Sequence, residues 1–314
     1  MKHVIQSLHH VTATVIDAQE DLDFYAGLLG QRLVKKTVNF DNHHVFHFYY
    51  GSEHGTPGTL MTTFPYKGMG VRTGVHGAGQ VSVTSFSVPL ASLEFWHARL
   101  GDHGVAVERA ESPFGDAMLR FRDPSGLQLQ LVGNDLDVRI PWLRHDIDAA
   151  NAVRGLFGVA LLVRDPAASA AFLEEMLGAT VLGTNAGITR MGVGGQGPAH
   201  IVDLVRANDV PDAVNGLGTV HHVAFAIGTD DEQLDIRETL LRRGVSVTDI
   251  RDRQYFHSIY FREPGGVLYE IATVSPGFTT DEYLAELGQG LMLPPWEEAH
   301  RANIEQGLPI VKHP

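Results

Sequence analysis

The sequence predicts an α+β fold built from four βαβββ modules that form two paired-module barrels. Three observations carry the prediction. One order of elements recurs four times, the same Pro-Gly turn closes two of the copies, and 314 residues suffice for two domains of ordinary size.

The first module opens on an apolar strand, HHVTATVI (residues 9–16), and continues through an amphipathic stretch from Asp17 to Leu29. There Leu22, Tyr25, Leu28 and Leu29 recur at helical spacing, with Asp17 as N-cap and Gly30 as stop. Three strands follow: RLVKKTVNF, HVFHFYYG and GTLMTTF. The second module runs from QVSVTSFSV (80–88) through the helix LASLEFWHARLG to AMLRFRDPSGLQLQLV. The third starts at GVALLV (158–163), and its helix DPAASAAFLEEMLG takes Asp165 as N-cap. The fourth holds HHVAFAI (221–227), DEQLDIRETLLRRG and HSIYFREPGGVLYEIAT, and Gly101, Gly178 and Gly244 are read as the stops of the later helices. The last two strands of two modules are joined by Asp123-Pro124-Ser125-Gly126 and Glu263-Pro264-Gly265-Gly266. In each, Pro presets the first turn position and Gly permits the positive φ that follows.

Residues 1–140 are read as an N-terminal half with two modules and 155–275 as a C-terminal half with two more. The polar stretch from Asn134 to Arg154 links them. Residues 276–314 form a tail too apolar to stay free in water, expected to pack on the body, with DEYLAELG and PPWEEAHRANIEQ helical.

Composition narrows the function. Lys plus Arg number 24 against 37 Asp plus Glu, a net charge of −13, and no basic run occurs. Such a field repels phosphate backbones and anionic lipid, so neither nucleic acid nor a membrane is expected as a partner. No stretch approaches the roughly 18 apolar residues of a spanning helix, and the start lacks a signal-peptide core, so a cytoplasmic protein is expected. Zero Cys excludes disulfides, thiolate catalysis and Cys-ligated metals. Any metal must sit on His and carboxylate.

Only the first and fourth modules begin with His-His. Strand alternation turns one of each pair inward, and the sets His10, Thr12, Thr14 and His222, Ala224, Ala226 are the smaller-residue faces, as a cavity wall requires. Glu270 lies amid apolar residues in the last strand, where a carboxylate is costly unless paired, protonated or metal-bound. Two imidazoles and one carboxylate from separate strands match the facial triad of non-haem Fe(II). Aligned by the shared turn, Gln130 and Thr62 take the place of Glu270 in other modules, and Val81 and Gly158 that of the histidines. The metal therefore belongs to a barrel of first and fourth modules, the second and third pairing without one. Among the histidines of NHHVFHFYYG, His47 is the one expected to face inward. RDRQYFHSIYFR gathers Arg251, Arg253, Tyr255, His257, Tyr260 and Arg262. These read either as salt bridges and aromatic packing or as a phenol and guanidinium over an open metal position.

At these residues the sequence resembles the vicinal oxygen chelate superfamily (glyoxalase, bleomycin-resistance and extradiol dioxygenase proteins), and within it the ring-cleaving hydroquinone-type dioxygenases. The matching stretches include LHHVTATVIDAQEDLDFYAGLLGQRLVKKTVNFD, HFYYGSEHGTPGTLMTTFP, GTVHHVAFAI and DRQYFHSIYFREPGGVLYEIAT, spread over nearly the whole chain. The resemblance implies Fe(2+), or Mn(2+) as in some relatives, held by His10, His222 and Glu270, with a small aromatic substrate and O2 as reactants. It also implies a tyrosine near the metal at Tyr260, a pocket arginine at Arg253, and supporting positions at His9, Thr12 and His221. His257 stands where many relatives have Arg, a departure that bears on substrate preference. Two other functions fit the same fold: a glyoxalase- or epimerase-like lyase or isomerase, and a small-aromatic binding protein. Glyoxalase-type sites carry a fourth protein ligand where this chain has Thr62. Association into a homo-oligomer is left open by the sequence.

Overall fold

The computed structural model describes residues 5–314. Each module is a strand, a helix and three further strands. The first comprises β1 (Ile5–Val15), α1 (Ala18–Leu22), β2 (Arg32–Asn39), β3 (Asn42–Gly51) and β4 (Leu60–Pro65). The second comprises β5 (Gln80–Val88), α2 (Leu93–Asp102), β6 (Glu108–Glu111), β7 (Ala117–Arg122) and β8 (Gln128–Gly133). The third is β9 (Gly155–Val163), α3 (Pro166–Leu177), β10 (Thr180–Asn185), β11 (Ile188–Gly192) and β12 (Ile201–Arg206). The fourth is β13 (Thr219–Ile227), α4 (Asp230–Arg242), β14 (Arg251–Asp252), β15 (His257–Arg262) and β16 (Leu268–Thr273).

Local chemistry accounts for the boundaries. Asp17 accepts hydrogen bonds from the Gln19 and Glu20 amides, Asp165 from those of Ala167 and Ala168, and Thr229 forms a capping box with Glu232. The two Pro-Gly turns close on Gly126 N–H to Asp123 O and Gly266 N–H to Glu263 O, with φ of 93° and 92° at the glycines. A Cβ at either position would strain the turn. The buried carboxylates of Asp123 and Glu263 each accept from the amide four residues on, 2.8 Å from Leu127 N and 3.0 Å from Val267 N.

Three local expectations are corrected. The first helix widens after one turn into a π-helical segment, Asp23–Leu28, in which Leu29 N–H reaches back to Phe24 O. That widening keeps Phe24, Tyr25, Ala26 and Leu28 buried together. Gly101 lies within α2, and the left-handed residue that ends the turn is Gly104. In the tail, DEYLAELG makes only a single turn, Leu284–Glu286, because Lys35 holds the side chains of Asp281 and Glu282. The second predicted stretch is helical at Glu298–His300 and in α5 (Arg301–Gly307). Leu287, Leu293, Ile304 and Leu308 of this region are buried.

The strands form two eight-stranded sheets. One runs β14-β15-β16-β13-β1-β4-β3-β2, the other β10-β11-β12-β9-β5-β8-β7-β6. Each is two modules joined through their first strands: first with fourth, and second with third. In the first sheet β1 and β13 run antiparallel with Val11 opposite Val223, so an internal two-fold relates the modules about that pair. Under it, Thr12 beside Thr62 corresponds to Ala224 beside Glu270. The helices cover the outer faces through Leu22, Trp96, Leu100, Leu173, Ile236 and Leu240, all essentially inaccessible to water. Among the described residues no helix is long and apolar enough to cross a membrane.

Candidate metal centre

The register of the first sheet carries three donors to one point. His10 and His222 come from the two central strands, and Glu270 stands beside Ala224 on β16, one strand further out. His10 Nε2 lies 3.3 Å from His222 Nε2, and Glu270 Oε2 is 3.2 Å and 2.7 Å from the two nitrogens. All three side chains are buried. Among the described residues they are the one group of three potential ligands whose donor atoms converge.

The geometry answers whether a metal fits. Ligand atoms about 2.1 Å from a six-coordinate ion stand about 3 Å apart when adjacent, and the three separations bracket that value. Each of these two histidines is also engaged on its other nitrogen. His10 Nδ1 is 2.8 Å from His9 Nδ1, and His222 Nδ1 is 2.8 Å from His221 Nδ1. Burial, with the adjacent imidazole adding to it, pushes His9 and His221 down to about 3, so both are neutral acceptors. His10 and His222 therefore donate through Nδ1–H, which leaves Nε2 as the atom each turns toward the shared point. Glu270 Oε2, despite its short contacts, receives no hydrogen bond of acceptable direction. Three lone pairs aimed at one another in a buried site call for a cation.

The carboxylate is ready to accept one. Burial alone would push Glu270 up, but positive charge placed where His10 and His222 meet it outweighs the burial and holds the acid well below the ordinary carboxylate range. Its second oxygen, Oε1, accepts a hydrogen bond from Ser258, a fully buried residue on β15. Ser258 escaped the sequence reading, because a lone serine in a strand carries no spacing signal. Alternation from Tyr260 would have placed it on the cavity face.

The remaining predicted residues fall into two groups. Tyr260 stands beside Glu270 on β15, its ring 5.6 Å from that of His222. Arg253 lies in the tight turn before β15; its Nε donates to the Tyr260 hydroxyl at 3.1 Å and its Nη2 to Asp41 at 2.9 Å. Thr12 shares a 2.8 Å hydrogen bond with Thr62, the two-fold counterpart of Glu270. Together with His221 these line a cavity of about 370 Å3 that also exposes the triad. His9 sits behind it, its ring 5.0 Å from Phe256. His257 is the correction: it lies outside the cavity, its Nδ1 2.7 Å from Asp230 at the start of α4. Three residues from Tyr260, it falls on the opposite face of the strand.

The second sheet encloses a larger cavity of about 910 Å3. Its register sets Gly158 at the position of His10, Val83 at that of His222, Gln130 at that of Glu270 and Asp203 at that of Thr62. Val83 thus replaces Val81 in the sequence alignment, and the convergence of donors is absent from this cavity. Size does not locate the chemistry here; the ligand geometry does.

Comparison with known proteins agrees with the fold. The chain is 42% identical over 301 residues to "Putative ring-cleaving dioxygenase MhqO" of Bacillus subtilis, spanning 96% of this chain and 95% of that one. It is 35% identical to "Chlorohydroquinone/hydroquinone 1,2-dioxygenase" of Sphingobium indicum, spanning 93% and 92%. A crystal structure of a "putative dioxygenase" from B. subtilis superposes with a TM-score of 0.94 at 41% identity, covering 99% of this chain and 98% of that one. The sequence profile of the Glyoxalase/Bleomycin resistance protein/Dioxygenase superfamily matches residues 7–131 and 155–271, the same two spans that hold the four modules. With that match and these full-length relatives, the chain belongs to the glyoxalase/bleomycin resistance protein/dioxygenase superfamily.

Proposed function

We propose that this chain is an oxidoreductase, a ring-cleaving dioxygenase that opens a hydroquinone- or catechol-type ring and holds Fe(II), with Mn(II) as the substitute some relatives use, on His10, His222 and Glu270. The observation that carries the reading is the convergent triad with Thr62, not a fourth ligand, at the two-fold counterpart of Glu270. A metal bound there supplies a Lewis-acid centre with adjacent open positions for an aromatic hydroxyl and dioxygen. The names of the relatives point the same way.

The chain's own residues then have definite tasks. His9 and His221 fix the tautomers of the ligand imidazoles, and Ser258 fixes the carboxylate. Arg253 donates to the oxygen of Tyr260, so the phenol's own proton is not spent on that pair. Burial, and then the charge of Glu270, hold that phenol protonated well above its ordinary range. Tyr260 is thus a hydrogen-bond donor at working pH, suited to an oxyanion developing on the ring, with Arg253 adding positive charge behind it. Phe256 and Phe64 supply apolar wall to the cavity.

Oxygen uptake by anaerobically iron-loaded protein tests the reading with hydroquinone, methylhydroquinone and catechol. Uptake with loss of the aromatic absorbance is expected for at least one. No uptake with any of them overturns it, and turnover of an enolisable substrate with Ni(II) and no oxygen would assign a lyase or isomerase instead.

A further inference from the structure

The cavity has a second polar wall that the triad and its supports do not use. His47 and Tyr49 point from the same face of β3 into the cavity, three strands from β13 in the curled sheet and across from Tyr260 and Arg253. The His47 ring is clamped between Tyr49, at 4.0 Å, and Phe64, at 4.3 Å between centroids. Its Nε2 is tied to the Thr62 hydroxyl at 3.0 Å, and Thr62 in turn to Thr12. Among the described residues its Nδ1 has no protein partner, yet it is not one of the sealed-in polar atoms. Burial, reinforced by the nearby His10 and Arg253, holds the imidazole well below its ordinary range, so it is neutral and one nitrogen is an acceptor.

We infer that His47, through Nδ1, accepts a hydrogen bond from the substrate hydroxyl remote from the metal, and thereby selects a ring carrying two hydroxyls across from one another. The inference rests on the proposed ring-cleaving function for its substrate class. Three features make the side chain suited to the task. The rotamer is locked by two rings, so little entropy is lost on binding. In the tautomer whose Nε2–H donates to Thr62, the Nδ1 lone pair is left outward. The wall faces the same cavity as the triad, so a ring whose first oxygen sits at the metal has its second oxygen within a cavity that His47 lines.

Anaerobic calorimetry on the Fe(II)-loaded protein tests this with hydroquinone and phenol as probes. The wild type is expected to prefer hydroquinone by about tenfold, the effect of one buried neutral hydrogen bond. His47→Leu is expected to bring the ratio close to one. His47→Asn, whose amide reaches the place of Nδ1, is expected to restore it, whereas His47→Gln, which reaches the place of Nε2 and Thr62, is not. Should His47→Leu fail to fold, the Asn and Gln variants decide. Restoration by Gln and not Asn would show that His47 only braces Thr62 and would overturn the inference. So would an unchanged ratio in the Leu variant, or no preference in the wild type. Binding under argon needs no turnover. A wild type that shows the preference but consumes no oxygen refutes ring cleavage and leaves the role of His47 standing.

Discussion

Replacing Ser258 by Ala removes one oxygen atom from a fully buried position. Ser258 is inaccessible to solvent, and its hydroxyl is the donor that fixes Glu270 Oε1 while Oε2 faces the two imidazoles. In metal-free protein the loss leaves a buried charged acceptor without its donor, which costs about 1.5–3 kcal/mol of folding stability. In metal-loaded protein the same donor is missing and, in addition, the carboxylate is free to rotate about its last bond. Groups that orient a ligand in this way are worth 10–100-fold in metal affinity, about 1.4–2.7 kcal/mol. The assay is competition for Fe(II) against a chelator of known affinity, beside melting curves with and without metal. The melting temperature is expected to fall in the metal-free state and to fall further with metal present, because the weakened affinity adds to the loss. An affinity within twofold of wild type, with the native fold retained, would refute the placement of the ion against Glu270.

Glu270→Gln is expected to lose the metal on gel filtration, as read by elemental analysis, and with it the thermal stabilisation of about 2.7 kcal/mol that a ligand at 100 times its Kd provides; a variant that keeps both would make Glu270 a purely structural acid. Burial pushes Asp21 up to about 8 even though Tyr50 and Thr63 donate to it. Its folded value lies above the unfolded 3.8, so the stability it lends is complete below pH 4 and is lost as pH rises through about 8. Asp21→Asn, which keeps an acceptor for both donors, should flatten that decline in urea midpoints, and a profile parallel to wild type would contradict the assignment. Lys35 is buried with its ammonium 2.6 Å from Asp281 and also against Glu282. Lys35→Met strands two acids and is expected to cost about 3–5 kcal/mol and to admit protease between residues 276 and 290; an unchanged digestion pattern would show that other contacts suffice to hold the tail.

What the sequence revealed, and what it hid, follows from how each residue signals. His10 and His222 stand out because each heads the same strand of the same repeated unit, and Glu270 because a carboxylate interrupts an apolar strand. The pairing of first with fourth module followed from chemistry and not from chain order, since only those two carry ligands. The π-helical widening in α1 left no trace, because the apolar residues keep a nearly helical spacing through it. Ser258 and Tyr49 were invisible for another reason: a small hydroxyl and a buried aromatic are ordinary in strands, and only the register beside Glu270 and Thr62 makes them notable. His257 was drawn in by the resemblance, as the place where many relatives have Arg, when its three-residue offset from Tyr260 already set it on the other face.

Joining β1 to β13 means that neighbours in the sheet are made far apart in time. His10 and His222 are separated by 212 residues, about 10–40 s of ribosomal synthesis. Throughout that interval the free edge of β1 exposes backbone donors and acceptors beside an apolar face, the kind of edge that recruits other strands. The first module must therefore wait, guarded by chaperones or by its own transient contacts, until the last third of the polypeptide emerges. Prematurely terminated chains that end before residue 219 are expected to aggregate rather than yield a smaller working protein.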